Sequence, residues 1–455
     1  MDRLEQAISR GDRIHFIGVG GVMMSSLALE LARRGSAVTG NDRSASAMTE
    51  KLERAGIPVS IGHRPEYIDG AAIIVKNAAI PETSPDLAAA RAKGLPVYER
   101  PQILGRIMRE YERSVGVSGT HGKSTTSGML THALRALSAD PTAFLGASLA
   151  EIGGTYVLGH DKWFIAESCE YCRSFLYLKP QTAVILNVEA DHLDYYSGIE
   201  EIIGAFHDFA ENTPADGGKV VVNADSANAM RAVDGVAREI LTFGRQNGRF
   251  RAENPKVDHG CWRYTLTDNG KPLCEVALGV PGEHNISNSL AVAATLLSYG
   301  IEPAAAAKAI GSYPGVERRF QKVGEYRGAV VIDDYAHHPA ELETTIATAR
   351  SYGYARVVCL FQPHTYSRTV LLKDRFCEVL AKADLTLLTD IYSAREQNTF
   401  GISSADLARE IPGAVYVPSL ADAADALAEL AAPGDLILVC GAGDVNRAAH
   451  LLLSK

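Results

Sequence analysis

Long apolar runs are missing from this 455-residue chain: none reaches the roughly 18 residues that a membrane-crossing helix needs. The opening stretch, MDRLEQAISRGDR, is polar and amphipathic without an apolar core segment, so no signal peptide is expected. Excess basic charge is missing too. The chain carries 45 Lys and Arg against 54 Asp and Glu, a formal charge of −9, which speaks against a general nucleic-acid binder. Neither nucleic acid nor membrane is an expected partner. Anionic small molecules stay open, because helix N-termini and a few placed cations bind phosphate on an acidic protein. Cysteines are sparse: seven are scattered through the chain, which suits a reducing cytoplasm and excludes a disulfide framework. Cys169 and Cys172 form a CxxC, but no second pair or histidines stand at zinc-ligand spacing. Low-complexity segments and short repeats are absent.

What is present is an ordinary globular composition, 46% hydrophobic and 22% charged, long enough for two or three domains. The first segment reads strand 14–19, a glycine turn at Gly18, Gly20 and Gly21, helix 22–34 ended by Gly35, then strand 37–42, with further alternation to about 109 and a strand at 71–76. A second segment opens with strand 114–118, the string GTHGKST (119–125) and a helix to about 137. Strands are expected at 163–167, 183–188 and 219–223. The stretch 249–280 reads as an antiparallel hairpin about Asp268-Asn269-Gly270, followed by a helix from about 284. Beyond Pro314-Gly315 the pattern alternates again: strand 328–333, helix 339–351, strand 356–361, helix 370–381, strand 385–391, helices 403–410 and 421–432, and strand 435–440. The fold class is α/β with three consecutive α/β domains. These are a Rossmann-like domain at 1–110, a central P-loop ATPase-like domain with a small antiparallel β part at 111–314, and a Rossmann-like C-terminal domain at 315–455.

GTHGKST is the most informative string. A glycine-rich loop between strand and helix aims backbone N–H groups at phosphate oxygens. Lys123 would reach the β- and γ-phosphates, and the Ser124 hydroxyl would hold Mg²⁺. Glu167 ends the apolar run WFIAE, with Glu170 close behind, where a carboxylate faces the crevice of a parallel sheet and suits a hard cation. Asn187, Asp191, His192 and Asp194 crowd into LNVEADHLD (186–194), again at the end of an apolar strand.

Together these strings resemble the Mur ligase family of peptidoglycan synthesis. GTHGKST is similar to that family's own phosphate loop, GT-x-GK-[ST], and GEHNISN (282–288) to its adenine-side motif G-x-HN-x-x-N. IHFIGVGGVMMS (14–25), GVERRF (315–320), DDYAHHP (333–339), FQPHTYSRT (361–369) and GAGD (441–444) resemble the alanine-adding branch, so the likeness spans the chain. It implies an ATP-dependent carboxylate–amine ligase. Such an enzyme would phosphorylate the carboxylate of UDP-N-acetylmuramate and couple it to L-alanine in the cytoplasm. The alternatives are a murein tripeptide-recycling ligase or a catalytically silent UDP-sugar- and ATP-binding relative. The implied catalytic residues are Lys123, Glu167, His192, His338 and Arg368. Gly119, Thr120, His121, Gly122, Lys123, Ser124 and Thr125 would cradle ATP. His284, Asn285 and Asn288 would recognise its adenine side, Arg319 its phosphates and Asp334 its ribose. Two Mg²⁺ ions would bind through Ser124, Glu167 and His192. Gly18, Gly20, Gly21 and Asp42 would line the UDP site, while His338, His364 and Arg368 would face the muramate carboxylate and alanine. His338 is the first candidate for taking the amine's proton. A monomer or weak homodimer is expected.

The chain departs from the family pattern at Met23, which replaces a third glycine, and at Thr365, which replaces an arginine. It departs again at SCEYCRSF (168–175), where an acidic string is usual, and at His207, where some members carry a modified lysine. A dehydrogenase reading of Gly18, Gly20 and Asp42 would leave the phosphate loop and LNVEADHLD without a role.

Overall fold

The computed structural model describes residues 3–77, 79–193, 195–258, 260–394 and 396–455. Two compact units emerge: Met1–Arg251 with Thr267–Lys271 and Asn288–Ala309, and Ala252–Leu266 with Pro272–Ser287 and Ile310–Lys455.

The first unit begins with helix α1 (Arg3–Arg10), which buries Leu4 and Ala7. There follow β1 (Arg13–Ile17), α2 (Val22–Arg33), β2 (Ala37–Asp42), α3 (Ala47–Arg54), β3 (Val59–Ile61), β4 (Ile73–Lys76), α4 (Pro85–Ala92), β5 (Val97–Glu99) and α5 (Arg100–Met108). The strands form a parallel sheet in the order β3-β2-β1-β4-β5. Four consecutive buried residues in β1 and in β4 reflect helices on both faces, which is why these strands read as unbroken apolar runs.

The unit's second sheet uses β6 (Arg113–Ser118), α6 (Lys123–Ala136), β7 (Thr142–Leu149), β8 (Gly154–Val157), β9 (Trp163–Glu167), β10 (Thr182–Ile185), α7 (Ile199–Glu211), β11 (Lys219–Asn223), α8 (Ala227–Ala232) and β12 (Glu239–Gly244). Its order is β12-β11-β10-β6-β9-β7-β8, parallel except for β8. β6 lies between β9 and β10, so the chain leaves β6 on one side and returns on the other. The crevice at such a reversal is where α/β sheets hold ligands. One apolar core joins the two sheets, running from Phe16 and Leu27 to Phe164, Phe206 and Phe209. Glu30 of α2, fully buried, accepts from Arg33 and Arg34, and Tyr111 bridges it to Thr142 on β7.

The chain continues through β13 (Phe250–Asp258), β14 (Cys261–Asp268), β15 (Lys271–Pro281), α9 (His284–Ser298) and α10 (Pro303–Gly311). Asn269 (φ 48°) and Gly270 (φ 78°) are both left-handed, as the tight hairpin between β14 and β15 requires.

The rest of the second unit is β16 (Gln321–Tyr326), β17 (Ala329–Asp334), α11 (Pro339–Ser351), β18 (Arg356–Phe361), α12 (Tyr366–Leu371), α13 (Lys373–Leu380), β19 (Leu385–Leu388), α14 (Ser404–Glu410), β20 (Val415–Tyr416), α15 (Leu420–Leu430), β21 (Asp435–Cys440) and α16 (Asn446–Leu453). Its sheet runs β16-β17-β21-β18-β19-β20, with only β16 antiparallel. The expected helix 370–381 is two helices that meet at Leu372 (φ −114°). Val370 and Leu371 face outward while Phe376, Val379 and Leu380 are buried, so one apolar run serves two faces. No described helix is long and apolar enough to cross a membrane.

Candidate active site

Both sheets of the first unit end in a glycine turn. After β1, Gly18 (φ 78°) turns the chain, and the N–H groups of Gly18 and Val19 donate to the Asn41 carbonyl. Gly20 N–H donates to Asp42 Oδ2 at 2.8 Å. A Cβ on Gly20 would lie 2.9 Å from that oxygen, so the glycine is needed for close approach. Asp42, expected on the UDP side, thus holds the turn itself. Met23 replaces the third glycine without disrupting the turn, because its side chain packs on the core. The first turn of α2 has no side-chain cap, which leaves N–H groups there for an anion.

The second turn follows β6. Gly119 (φ 143°) and Gly122 (φ 86°) adopt backbone that other residues avoid. Added Cβ atoms would meet Leu186 and Asn187 at Gly119, and Asn288 Oδ1 at 2.7 Å from Gly122. Asn187 clamps the loop from the end of β10. Its Oδ1 accepts from His121 N–H at 2.8 Å, its Nδ2 donates to the His121 carbonyl at 3.0 Å, and its own carbonyl accepts from Thr120 N–H. Thr120 Oγ1 accepts from Glu189 N–H at 2.9 Å. Gly122, Lys123 and Ser124 then lead into α6 with no side-chain cap, the arrangement of a phosphate cradle.

Lys123 is nearly buried. Its Nζ donates to the Gly119 and Thr120 carbonyls and to Glu170 Oε1 at 3.1 Å. Burial opposes its charge, but Glu170, with Cys169 and Glu167, outweighs that and holds the ammonium above its ordinary value. Glu170 is the partner that sequence reasoning left out of the catalytic set. Its carboxylate is 3% exposed and its Oε1 lies 3.8 Å from His192 Nε2. The signal was faint because the pairing depends on β9 lying beside β6. Glu167 stands apart from Lys123, and its Oε2 accepts from Gly146 N–H at 3.0 Å. A Cβ on Gly146 would sit 2.2 Å from Glu167 Oε2, so β7 leaves just enough room for that carboxylate. His192 has a left-handed backbone (φ 53°), stabilised by Asp191 Oδ1 accepting its N–H, and its ring lies 4.8 Å from that of Tyr171. Asp194 lies outside the described residues.

No group of three metal-ligating side chains is already gathered among the described residues. The donor set still suits magnesium. Ser124, Glu167 and Glu170 offer oxygen and His192 offers a nitrogen, with Glu170 Oε2 held 3.0 Å from Lys123 Nζ. Burial pushes the Cys169 thiol up to about 11, so it stays protonated and is not a thiolate ligand. His207 Nδ1 donates to the Ala232 carbonyl at 3.1 Å, away from this cluster.

The second unit gathers its own set. Asp334, at the end of β17, accepts from Phe320 N–H at 2.7 Å and Ala336 N–H at 2.8 Å, and burial pushes its carboxyl up to about 6. Asp334 thereby anchors the turn that carries Arg319, whose guanidinium lies 5.5 Å over Tyr335 and 3.8 Å from Glu341. His338 caps α11, its Nδ1 accepting from Ala340 N–H at 3.4 Å. Arg368 of α12 donates to His364 Nδ1 at 3.3 Å, and the His364 ring stacks on Tyr392 at 5.6 Å. Burial, then Arg368, lowers His364 to about 4, so the ring is neutral near pH 7. Thr365, in place of the usual arginine, takes a positive φ of 66°, strain for a β-branched residue. Asn285 Nδ2 donates to the Pro281 carbonyl, and a Cβ on Gly282 would meet the His284 ring.

Comparison with known proteins follows the same division. Three family models match: Mur ligase family, catalytic domain, over residues 13–112; Mur ligase middle domain over 117–296; and Mur ligase, glutamate ligase domain, over 318–443. The UDP-N-acetylmuramate–L-alanine ligase of Acetivibrio thermocellus is 42% identical over 447 residues, covering 97% of this chain and 95% of the relative. That of Agathobacter rectalis is 41% identical over 454 residues, 98% and 99% respectively. The crystal structure of the UDP-N-acetylmuramate-alanine ligase from Thermotoga maritima superposes with a TM-score of 0.81 at 27% identity, covering 97% of this chain and 98% of that one. A murein peptide ligase from Psychrobacter arcticus shares the fold at a TM-score of 0.70 and 23% identity, over 97% and 98%. A phosphate loop clamped by Asn187, a lysine paired with Glu170 and a chain-long likeness lead to one conclusion: the chain belongs to the Mur ligase family.

Proposed function

We propose that this chain is an ATP-dependent ligase that joins L-alanine to the carboxylate of UDP-N-acetylmuramate, giving UDP-N-acetylmuramoyl-L-alanine, ADP and phosphate for peptidoglycan precursor synthesis. The carrying observation is the phosphate loop whose lysine already sits against Glu170 and near His192, in a chain about 40% identical over nearly its full length to alanine-adding ligases. Murein tripeptide ligation is the weaker reading, since the curated relatives at 41% and 42% identity over nearly the whole chain are L-alanine ligases. The place of action is the cytoplasm. The working division is 1–110 for UDP-sugar, 111–314 for ATP and 315–455 for the amino acid and part of ATP.

A carboxylate acylates poorly, and its phosphorylation creates the leaving group. The loop N–H groups and Lys123 hold the triphosphate in line and balance charge spread over the transferred phosphoryl. Ser124, Glu167, Glu170 and His192 would hold magnesium, which screens repulsion between the anionic carboxylate and ATP. Two ions are the reading that this donor set supports best. Asn288, whose Oδ1 faces Gly122, is given the adenine side of ATP with His284 and Asn285, Arg319 its phosphates and Asp334 its ribose, on the strength of the family resemblance. Arg368 and His364 take the carboxylate side. Nδ1 of both His338 and His364 accepts a hydrogen bond, which leaves Nε2 of each ring to carry a proton. These rings therefore suit donation to an oxyanion, and His338 takes the amine's proton only after releasing Ala340. Phosphate release measured with ATP, UDP-N-acetylmuramate and L-alanine, glycine, L-serine or the murein tripeptide in turn tests the reading. Turnover is expected to be greatest with L-alanine, and the murein tripeptide outrunning it would refute the assignment.

A further inference from the structure

The first glycine turn has no lysine of its own, although the uncapped start of α2 behind it suits an anion. Strand register shows where a cation could come from. Ile17 of β1 pairs with Lys76 of β4, and Lys76 pairs with Glu99 of β5. The next residue along each strand is Gly18, Asn77 and Arg100, so all three stand at the same carboxyl edge. Gly18 touches Asn77: a Cβ there would lie 3.2 Å from its Nδ2. Lys76, the other cation at this edge, is neutralised by Glu99 at 3.2 Å and Glu82 at 3.6 Å. Arg100 has no hydrogen-bond or ion-pair partner among the described residues, although it is half-buried at the start of α5.

The other side of Arg100 is the phosphoryl-transfer cluster. α5 packs against the segment Tyr171–Tyr177 so tightly that a Cβ on Gly105 would come 2.1 Å from the Tyr177 carbonyl oxygen. The same segment begins just after Glu170, and Arg100 feels the charge of Glu167. Burial nevertheless pulls the guanidinium below its ordinary range, so this neighbour undercompensates its charge. A half-buried cation left short of negative charge is costly unless something arriving supplies it.

We infer that Arg100 is a substrate-binding residue: its guanidinium takes an anionic oxygen of the UDP-linked sugar, from the diphosphate at the first glycine turn or from the carboxylate to be phosphorylated. Both are oxyanions that an arginine fork grips with two N–H groups, and Arg100 stands between the first glycine turn and Glu167. The inference rests on the function proposed above and assigns the residue that links the turn to the reacting end.

The test is titration of wild type, Arg100→Gln and Arg100→Lys with UDP-N-acetylmuramate, UDP-N-acetylglucosamine and a non-hydrolysable ATP analogue, with melting curves alongside. Arg100→Gln is expected to weaken UDP-N-acetylmuramate about tenfold or more, with ATP-analogue binding and melting unchanged. Arg100→Lys, which keeps the charge but not the fork, is expected to fall between the two and serves if the glutamine variant does not fold. Parallel weakening of UDP-N-acetylglucosamine, which lacks the lactyl carboxylate, assigns the contact to the diphosphate, and unchanged binding assigns it to the carboxylate. Affinity for UDP-N-acetylmuramate within twofold of wild type, or an equal loss for the ATP analogue, overturns the role of Arg100. A wild type that binds ATP analogue but no UDP-N-acetylmuramate brings down the proposed function, and this inference with it.

Discussion

The first unit builds two anion-facing glycine turns by the same strand–turn–helix plan and secures them differently. The turn after β1 is held by a carboxylate, Asp42, and by the Asn41 carbonyl; the turn after β6 is held by the neutral amide of Asn187. A carboxylate so close repels phosphate, so the first turn suits a diphosphate that is bound and left intact. The second turn keeps negative charge off its clamp and places Lys123 and Ser124 at the mouth, as a group must be transferred there. The two turns thus differ in the charge of the residue behind each loop.

Lys123→Ala gives the largest expected effect, a loss of about 10³-fold in kcat/KM by phosphate release, with UDP-sugar affinity kept. It also strands the buried Glu170 carboxylate, so melting should show destabilisation of about 3 kcal/mol or more. Activity within tenfold of wild type would erase the distinction between the turns.

Acid should strike the first turn before the second. His15 of β1 bonds Thr39 and Asn41, and burial lowers it to about 4 from 6.5. A depressed histidine contributes stability that is fully present above pH 6.5 and is lost as pH falls towards 4. The loss is at most about 3 kcal/mol. Denaturant midpoints across this window should flatten in His15→Gln, and an unchanged slope would show that His15 is not the group that titrates.

Asn187→Ala should lower kcat/KM about 10²-fold by loosening the phosphate loop, while UDP binding stays the same. Asp42→Ala is the mirror experiment and the smallest. About tenfold weaker UDP-sugar binding and about 1–2 kcal/mol of lost stability are expected, without change in ATP affinity. If either variant disturbed both ligands alike, the turns would not be independent.

Much of this was legible in the amino-acid string. Parallel strands buried on both faces appear as apolar runs, and GTHGKST carries its loop, lysine and helix start together. Asn187 was visible only as one of a metal-capable cluster; its true work, spanning the backbone of His121, depends on β10 lying beside β6. Glu170 was visible as a carboxylate behind Glu167, but its pairing with Lys123 was not, because it depends on β9 lying beside β6. The break at Leu372 was missed because neither proline nor glycine marks it. Asp42 and Asp334 were read as ligand contacts; the structure adds that both also use oxygens to fix turns, a use that charge alone does not announce.

Gly146 has a wider bearing. It belongs to no motif and lies on β7, one strand beyond β9, yet its missing side chain is the space that the Glu167 carboxylate fills. A methyl at Gly146 would have to push the Glu167 carboxylate out of its present place, and it would do so while leaving every named signature string intact.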